Sequence, residues 1–390
     1  MPVQAADIPR CDVDLFADGS LRHPFADYRR LRDLGAVVKL GSPDVYAISR
    51  FADVREALRL SDVLISGEGV GFSDAFNAPK GNNVIQTDGD QHRRMRAAVM
   101  RPLKPERLDE ARPRLKAMIA KRIDELAGDS EFDAMKGLAR FLPVEAIADF
   151  VGLGPEGRER MLEWAAAAFN AIGPVQDPND IASLREAFLY MSRLDASKVR
   201  AGSWAGQLFE AASDGQISPQ EALGAISAYV IPSLDTTILA KGHLLYLLAR
   251  EPEQWQLLRR RPELIPSAVY ESVRHSSVIR WFSRVARTDH QVGDQVVPSG
   301  ARVMLLYGSA NRDERRYPDP DRFDITRDAR DQLAWGRGAH MCAGQYLART
   351  EMEVMLEALV ERGVTLSAGE PVMGSNKGLF GFTALPFRLH

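Results

Sequence analysis

The sequence predicts a mainly α-helical protein with a smaller β portion near both ends of the chain. Three observations predict it. Residues 91–256 carry a helical spacing of apolar residues, punctuated by capping residues, proline and glycine. Residues 285–306 (VARTDHQVGDQVVPSGARVMLL) switch to valines separated by turn residues, the pattern of strands. A second helical pattern fills 343–362, and the tail (VTLSAGEP, then GLFGFTALPFRLH) reads as short strands.

Residues 24–35 (PFADYRRLRDLG) read as a helix closed by Gly35, followed by a strand pair at 37–39 and 45–48. No repeat, low-complexity tract or linker divides the chain, so one domain is expected over 1–390. Ser218-Pro219-Gln220-Glu221 is a capping box with proline at the first helical position. Leu223, Ile226, Val230, Leu234, Ile238, Leu244, Leu245 and Leu248 continue the apolar pattern as far as the stop at Arg250-Glu251-Pro252. This predicts a helix of about 32 residues, roughly 48 Å at 1.5 Å per residue, crossing the whole molecule.

Pro232 lies near the middle of that helix, where proline costs ~3 kcal/mol. The alternative is two helices, the second starting at Pro232 with Asp235 in its first turn. In a continuous helix Pro232 leaves the Ala228 carbonyl without its usual partner and bends the axis. Asp235 and Thr236 then face the same side and make a polar notch in an apolar wall, suited to a water or a diatomic molecule.

The chain has 390 residues, 45% hydrophobic and 26% charged, with net charge −3. That is enough apolar content for a large core, and the near-neutral balance argues against a nucleic-acid partner. Two cysteines, Cys11 and Cys342, exclude a disulfide framework and point to a reducing compartment. The N-terminal MPVQAADIPRCDVDLF has no apolar run of the signal-peptide or anchor kind, and no stretch approaches about 18 uninterrupted apolar residues. A cytoplasmic protein with no membrane partner is expected.

The segment WGRGAHMCAG, residues 335–344, leads into the 343–362 helix. Its glycines at 336, 338 and 344 permit a tight turn and close approach to something bulky. Cys342 sits where the helix begins, where unpaired N–H groups and the dipole favour a thiolate. For zinc, no second Cys/His pair stands at ligand spacing. For a nucleophile, His340 is the only base in sight. An inert buried cysteine fits poorly with three surrounding glycines. An axial ligand to haem iron fits best, because the porphyrin supplies four ligands and the protein needs one strong donor.

The pattern Phe-Gly-x-Gly-x-His-x-Cys-x-Gly, matched here with Trp335 in place of Phe, resembles the haem-ligand loop of the cytochrome P450 family. Further motifs follow the family's order. Glu271 and Arg274 resemble its Glu-x-x-Arg pair, and Pro320-Asp321-Arg322-Phe323 the segment whose arginine completes that buried network. Pro232-Ser233-Leu234-Asp235-Thr236 is similar to its small-Gly-x-acid-Thr motif, and His92-Arg93-Arg94-Met95-Arg96 to its His-x-x-x-Arg helix. The resemblance covers essentially the whole chain.

It implies a haem-thiolate monooxygenase that binds haem b through Cys342 and consumes O2, with a long central helix over the haem and the cysteine loop beneath. His92, Arg96, Arg284 and His340 are the implied partners of the haem propionates, and arginine suits such carboxylates. Asp235 and Thr236 are the implied organisers of proton delivery. Glu271, Arg274 and Arg322 would hold the cysteine loop in place. The basic residues Arg93, Arg94, Arg101, Lys104 and Arg107 would leave an outer face suited to an acidic ferredoxin, fed by an NAD(P)H-dependent reductase. The departure from the family pattern is Pro232 and Ser233, where small residues usually let the helix distort; here proline enforces the distortion. Ser233 either adds a hydroxyl to the water chain or bonds back to a carbonyl one turn away.

The implied substrate pocket involves Val84, Phe169, Ile172, Ala228, Pro232, Ile279, Phe282 and Phe380, whose phenylalanines suit a planar apolar guest. The runs GVGFSDAF and Phe169-Asn170-Ala171-Ile172-Gly173-Pro174 resemble bacterial members that oxidise small para-substituted aromatics. The carboxylate-reading arginine and serines expected there are not evident: Ser227, Ala228, Lys80, Asn82 and Asn83 occupy those places. A neutral aromatic such as a methoxyphenol, hydroxylated or O-demethylated, is the expectation. A para-substituted benzoate, a terpene or a fatty acid is the alternative substrate. A non-catalytic haem sensor and a peroxide-driven oxidase are the rival functions, and the retained Asp235 and Thr236 argue against both.

Overall fold

The computed structural model describes residues 7–78, 83–128 and 131–390. Helices make up the body, from Gly89–Met100 and Pro105–Leu126 through Pro155–Ala171 and Pro178–Ser192 to Pro252–Arg260 and Ile265–Ser276. Strands gather at one side in a sheet ordered Arg10–Cys11, Val37–Leu40, Val45–Ile48, Arg302–Leu306, Trp281–Ala286, Leu64–Ile65. The strands expected at 37–39, at 45–48 and within 285–306 lie in this sheet or in the neighbouring hairpin of His290–Val292 and Gln295–Val297. The tail forms Leu366–Ala368, Val372–Met373, Phe382–Ala384 and Pro386–Leu389, the last pairing with both Leu366–Ala368 and Phe132–Asp133.

The capping box at Ser218 forms as the sequence predicts. The Glu221 amide donates to Ser218 Oγ at 3.1 Å, and Glu221 Oε2 accepts the Ser218 amide at 2.8 Å. The helix that starts there runs to Arg250, 32 residues in all, and is the one helix among the described residues long and apolar enough to cross a membrane. Here it threads the main core, burying Ala222, Ile226, Leu244, Leu245 and Leu248 beside Met352 and Leu356 of the cysteine helix, Gln345–Glu361.

Its regular hydrogen bonding is interrupted, however, over 231–234. The helix divides into Pro219–Val230 and Asp235–Arg250, with Asp235 in the first turn of the second segment. The cause is chemical. Pro232 has no N–H for the Ala228 carbonyl. Ser233 Oγ donates to the Tyr229 carbonyl and Thr236 Oγ1 to the Pro232 carbonyl at 2.8 Å, so side chains take carbonyls that the helix ladder would otherwise fill. Of the two roles open to Ser233, the bond one turn back is the one made.

A buried ion network sits under the cysteine loop. Arg274 Nε and Nη2 donate to Glu271 Oε2 and Oε1 at 2.7 and 2.8 Å, and Arg274 Nη1 donates to the carbonyls of Asn311 and Pro320, both at 2.9 Å. The arginine that completes the network is Arg327, whose Nε lies 3.2 Å from Glu271 Oε1. Arg322 does not: its side chain is 67% exposed and faces Asp324 at 3.9 Å. It contributes only its carbonyl oxygen, to Arg274 and Arg327.

Candidate active site

The cysteine loop is closed by its own backbone. The Gly336 amide donates to Leu333 O at 2.8 Å and the Cys342 amide to Trp335 O at 2.7 Å. Gly336 and Gly338 both stand at φ +69°, where a side chain is strained, and a Cβ at Gly338 would lie 2.5 Å from the Leu58 carbonyl oxygen. The loop is held from outside by Asn311, whose Oδ1 accepts the Leu333 amide at 2.7 Å, and by Trp335 set edge-on to Tyr270. Substituting Trp for Phe at 335 therefore leaves a ring that still packs.

Cys342 keeps accessible surface, and the protein packed around its sulfur pushes its thiol up. Three groups pull back toward the thiolate: the backbone N–H groups of Gly344 and Gln345 at the sulfur, and the nearby Arg96 guanidinium. Cys11, the other cysteine, is buried in the core beside Val38 and Leu40. Among the described residues no three His, Cys, Asp or Glu side chains group so as to hold a metal, so a metal at Cys342 must bring its other ligands with it.

The residues on the propionate side fit such a guest. His92 and Arg96 share the inner face of the Gly89–Met100 helix, and the Arg96 guanidinium donates to the Met341 carbonyl, tying helix to loop. The rings of His92 and His340 lie 4.2 Å apart. His92 Nε2 and both nitrogens of His340 are buried without a hydrogen-bond partner. Burial, then His340 and Arg96, hold His92 down to about 4, while burial and Arg284 lower His340 against the opposing pull of Asp88. Asp88, 3.6 Å from His340 Nε2, is spoken for by the amides of Ser66 and Gly67. Two histidines with orphaned ring nitrogens and two arginines, Arg96 bonded to the Met341 carbonyl and Arg284 to the Ser283 carbonyl, thus gather beside the cysteine loop, and an anionic guest would satisfy the histidine nitrogens. On the Gly89–Met100 helix Arg93 and Arg94 are exposed, as is Lys104 at the start of the next helix.

On the broken helix, Asp235 is enclosed by protein, and burial alone pushes its carboxyl up to about 7. Beyond it, Leu239, Ala240 and Ile231 pack against an apolar cluster of Phe169, Val278 and Leu379, joined by Ile279 and Phe282. Phe169, Ile279 and Phe282 of the sequence-predicted pocket therefore come together. Ile172 touches the same region from a neighbouring cluster that also includes Phe282. Val84 and Ala228 pack in or against the main core, and Pro232 stands exposed at the break. Phe380 lies elsewhere: its ring stacks on His243 at 5.1 Å and meets Phe25 edge-on, while Leu379 takes the cluster position. In an extended segment, adjacent side chains face opposite ways. Leu239, Ala240 and Val278 were missed; the turn spacing Thr236, Leu239, Ala240 was the signal that pointed to the first two.

Of the polar candidates, Ser227 Oγ donates back to Gly224 O at 2.6 Å, and Asn83 caps Gln86 through its Oδ1 and bonds Gln86 Oε1 through its Nδ2. Lys80 and Asn82 lie outside the described residues.

Comparison with known proteins finds relatives of one family. The family model described as Cytochrome P450 matches residues 205–363. The chain is 34% identical to cytochrome P450 CYP199A2 of Rhodopseudomonas palustris, across 98% of this chain and 95% of that protein. It is 32% identical to the beta-dihydromenaquinone-9 omega-hydroxylase of Mycobacterium tuberculosis, across 96% and 78% respectively. Among solved structures, cytochrome P450 CYP109Q5 of Chondromyces apiculatus superposes with a TM-score of 0.82 at 29% identity, covering 97% of this chain and 98% of that one.

Proposed function

The chain belongs to the cytochrome P450 family, an O2-dependent haem-thiolate monooxygenase, and from that premise we propose that Cys342 is its iron ligand and a small neutral aromatic its substrate. The haem, when bound, supplies dioxygen activation, and its thiolate ligand favours O–O cleavage. The chain's own residues do the rest. The N–H groups of Gly344 and Gln345 steady the sulfur as an anion, and His92, Arg96, Arg284 and His340 would hold the propionates. Asp235, with a carboxyl near neutrality, populates both protonation states around pH 7 and so suits a proton carrier into a dry site. Thr236, anchored to the Pro232 carbonyl, keeps oxygen lone pairs free to accept from a water.

The observation that carries the substrate reading is the wall beyond the notch. Phe169, Phe282, Ile279, Val278, Leu239 and Leu379 bring only apolar atoms to it, and the nearby Ser227 and Asn83 are committed to their own backbone turns. A flat apolar guest with an O-methyl or ring C–H as the reacting bond suits it, and among the described residues of this wall a free carboxylate finds no cation. Electron supply by a ferredoxin and its NAD(P)H-dependent reductase is supported by the exposed Arg93 and Arg94 on the helix that bonds the cysteine loop and by the exposed Lys104 at the start of the next helix. Work in the cytoplasm belongs to the same reading, the long apolar helix being the core helix of the fold.

The test is an optical titration of the ferric protein with methoxyphenols, methoxybenzoates, terpenes and fatty acids. A low-to-high-spin shift strongest with neutral methoxyphenols is expected. A preference for benzoates would refute the neutral guest, and shifts confined to terpenes or fatty acids would refute the aromatic one.

A further inference from the structure

Lys241 and Glu351 form an ion pair in which neither side chain has any exposed surface, with Nζ and Oε2 2.5 Å apart. Lys241 lies on the helix segment that opens with Asp235 and Thr236, and Glu351 on the helix that follows Cys342. Glu351 Oε1 is buried and finds no hydrogen-bond partner among the described residues, so the carboxylate leans on Lys241. Burial pushes the lysine down and the glutamate up, and each holds the other charged.

Such a pair adds little net stability over well-packed apolar side chains, so stability does not explain it. Placement does. The break at 231–234 cuts the hydrogen-bond ladder between Pro219–Val230 and Asp235–Arg250. The Ile231 amide still bonds Ser227 O, and the ladder resumes with the amides of Thr237 and Ile238 on Leu234 O. The second segment therefore does not inherit its axial position from the first. Something must set the height of Asp235 and Thr236 relative to the cysteine helix, and a charge pair with one geometry does so where sliding apolar contacts would not. Lys241 follows Asp235 by six positions on one helix segment, and Glu351 follows Cys342 by nine, on the helix that begins at Gln345 just past the loop.

We propose that Lys241 and Glu351 are positioning residues, a pin that fixes the proton-delivery pair of Asp235 and Thr236 at its working distance from the Cys342 thiolate. The proposal rests on the proton-delivery reading given above. A misplacement of ~1 Å at such a site can cost ~10²-fold in the step it serves.

The double variant Lys241→Met/Glu351→Met removes the pin without leaving a lone buried charge. In the haem-loaded protein we expect the thiolate spectrum to persist and the Asp235–Arg250 amides to exchange hydrogen about tenfold faster, with Pro219–Val230 unchanged. Product per NADH should fall about tenfold as peroxide rises. Wild-type exchange in that segment, or wild-type coupling, overturns the proposal. Thr236→Ala is run beside it. If Thr236→Ala keeps full coupling, the proton-delivery reading itself fails; if Thr236→Ala uncouples and the methionine pair does not, only the pin fails. Should the methionine pair not load haem, Glu351→Gln decides by the same exchange measurement: faster exchange confined to Asp235–Arg250 supports the pin, and none refutes it.

Discussion

Asp235→Asn should make the protein more stable at neutral pH and much less active. Burial holds this carboxyl at about 7 instead of its ordinary 3.8. A gap of about 3 units is worth ~4 kcal/mol against the carboxylate, at 1.36 kcal/mol per unit. The residue keeps some exposed surface, and water there screens the penalty, so about 2 kcal/mol is the expected size. The sign follows from proton binding. The folded protein holds this proton more tightly than the unfolded chain, so the group costs nothing well below pH 3.8 and lowers stability progressively as pH rises from there toward 7. Asparagine has nearly the same volume and does not titrate. Variant and wild type should therefore match near pH ~4 and differ by about 2 kcal/mol near pH ~8, the variant being more stable. Asparagine also cannot pass a proton on, so product formation should fall by ~10²–10⁴. Denaturant unfolding of the haem-loaded proteins across this pH range, with product and peroxide measured per NADH, tests both halves. The same pH dependence of stability in both proteins would refute the buried carboxyl, and undiminished product would refute its role.

Two further substitutions test the frame around the cysteine loop. Glu271→Gln leaves Arg274 without its buried counter-charge and should cost ~3–5 kcal/mol, read as a large drop in Tm; an unchanged Tm would contradict the network. Gly338→Ala places a methyl 2.5 Å from the Leu58 carbonyl at φ +69° and should cost about 1–3 kcal/mol with weaker haem retention, whereas full stability and full haem loading would mean the loop does not need its glycine.

Much of this was legible in the sequence because its signals are local. The capping box at Ser218, the Val-rich strands and the glycine-bracketed Cys342 each declare themselves within about ten residues, and all lie where expected. The break at 231–234 was harder to see. Apolar spacing runs through it undisturbed, and only the hydroxyls of Ser233 and Thr236, which replace ladder donors, show that Pro232 divides the helix. Arg322 and Arg327 illustrate a second limit: both sit near Glu271 in the chain's folded path, but a turn decides which side chain enters, and exposure of Arg322 settles it for Arg327. Phe380 and Leu379 differ by one residue in an extended segment, where a one-residue offset swaps faces. The pairing of Lys241 with Glu351, 110 residues apart, leaves no trace in any local pattern.

The most direct test of the account is the carbon monoxide spectrum of the reduced protein, compared among wild type, Cys342→Ser and Cys11→Ser. Cys342 as iron ligand predicts the red-shifted Soret band of a thiolate-bound haem in wild type and in Cys11→Ser, and its loss in Cys342→Ser. A thiolate band that survives in Cys342→Ser would contradict it.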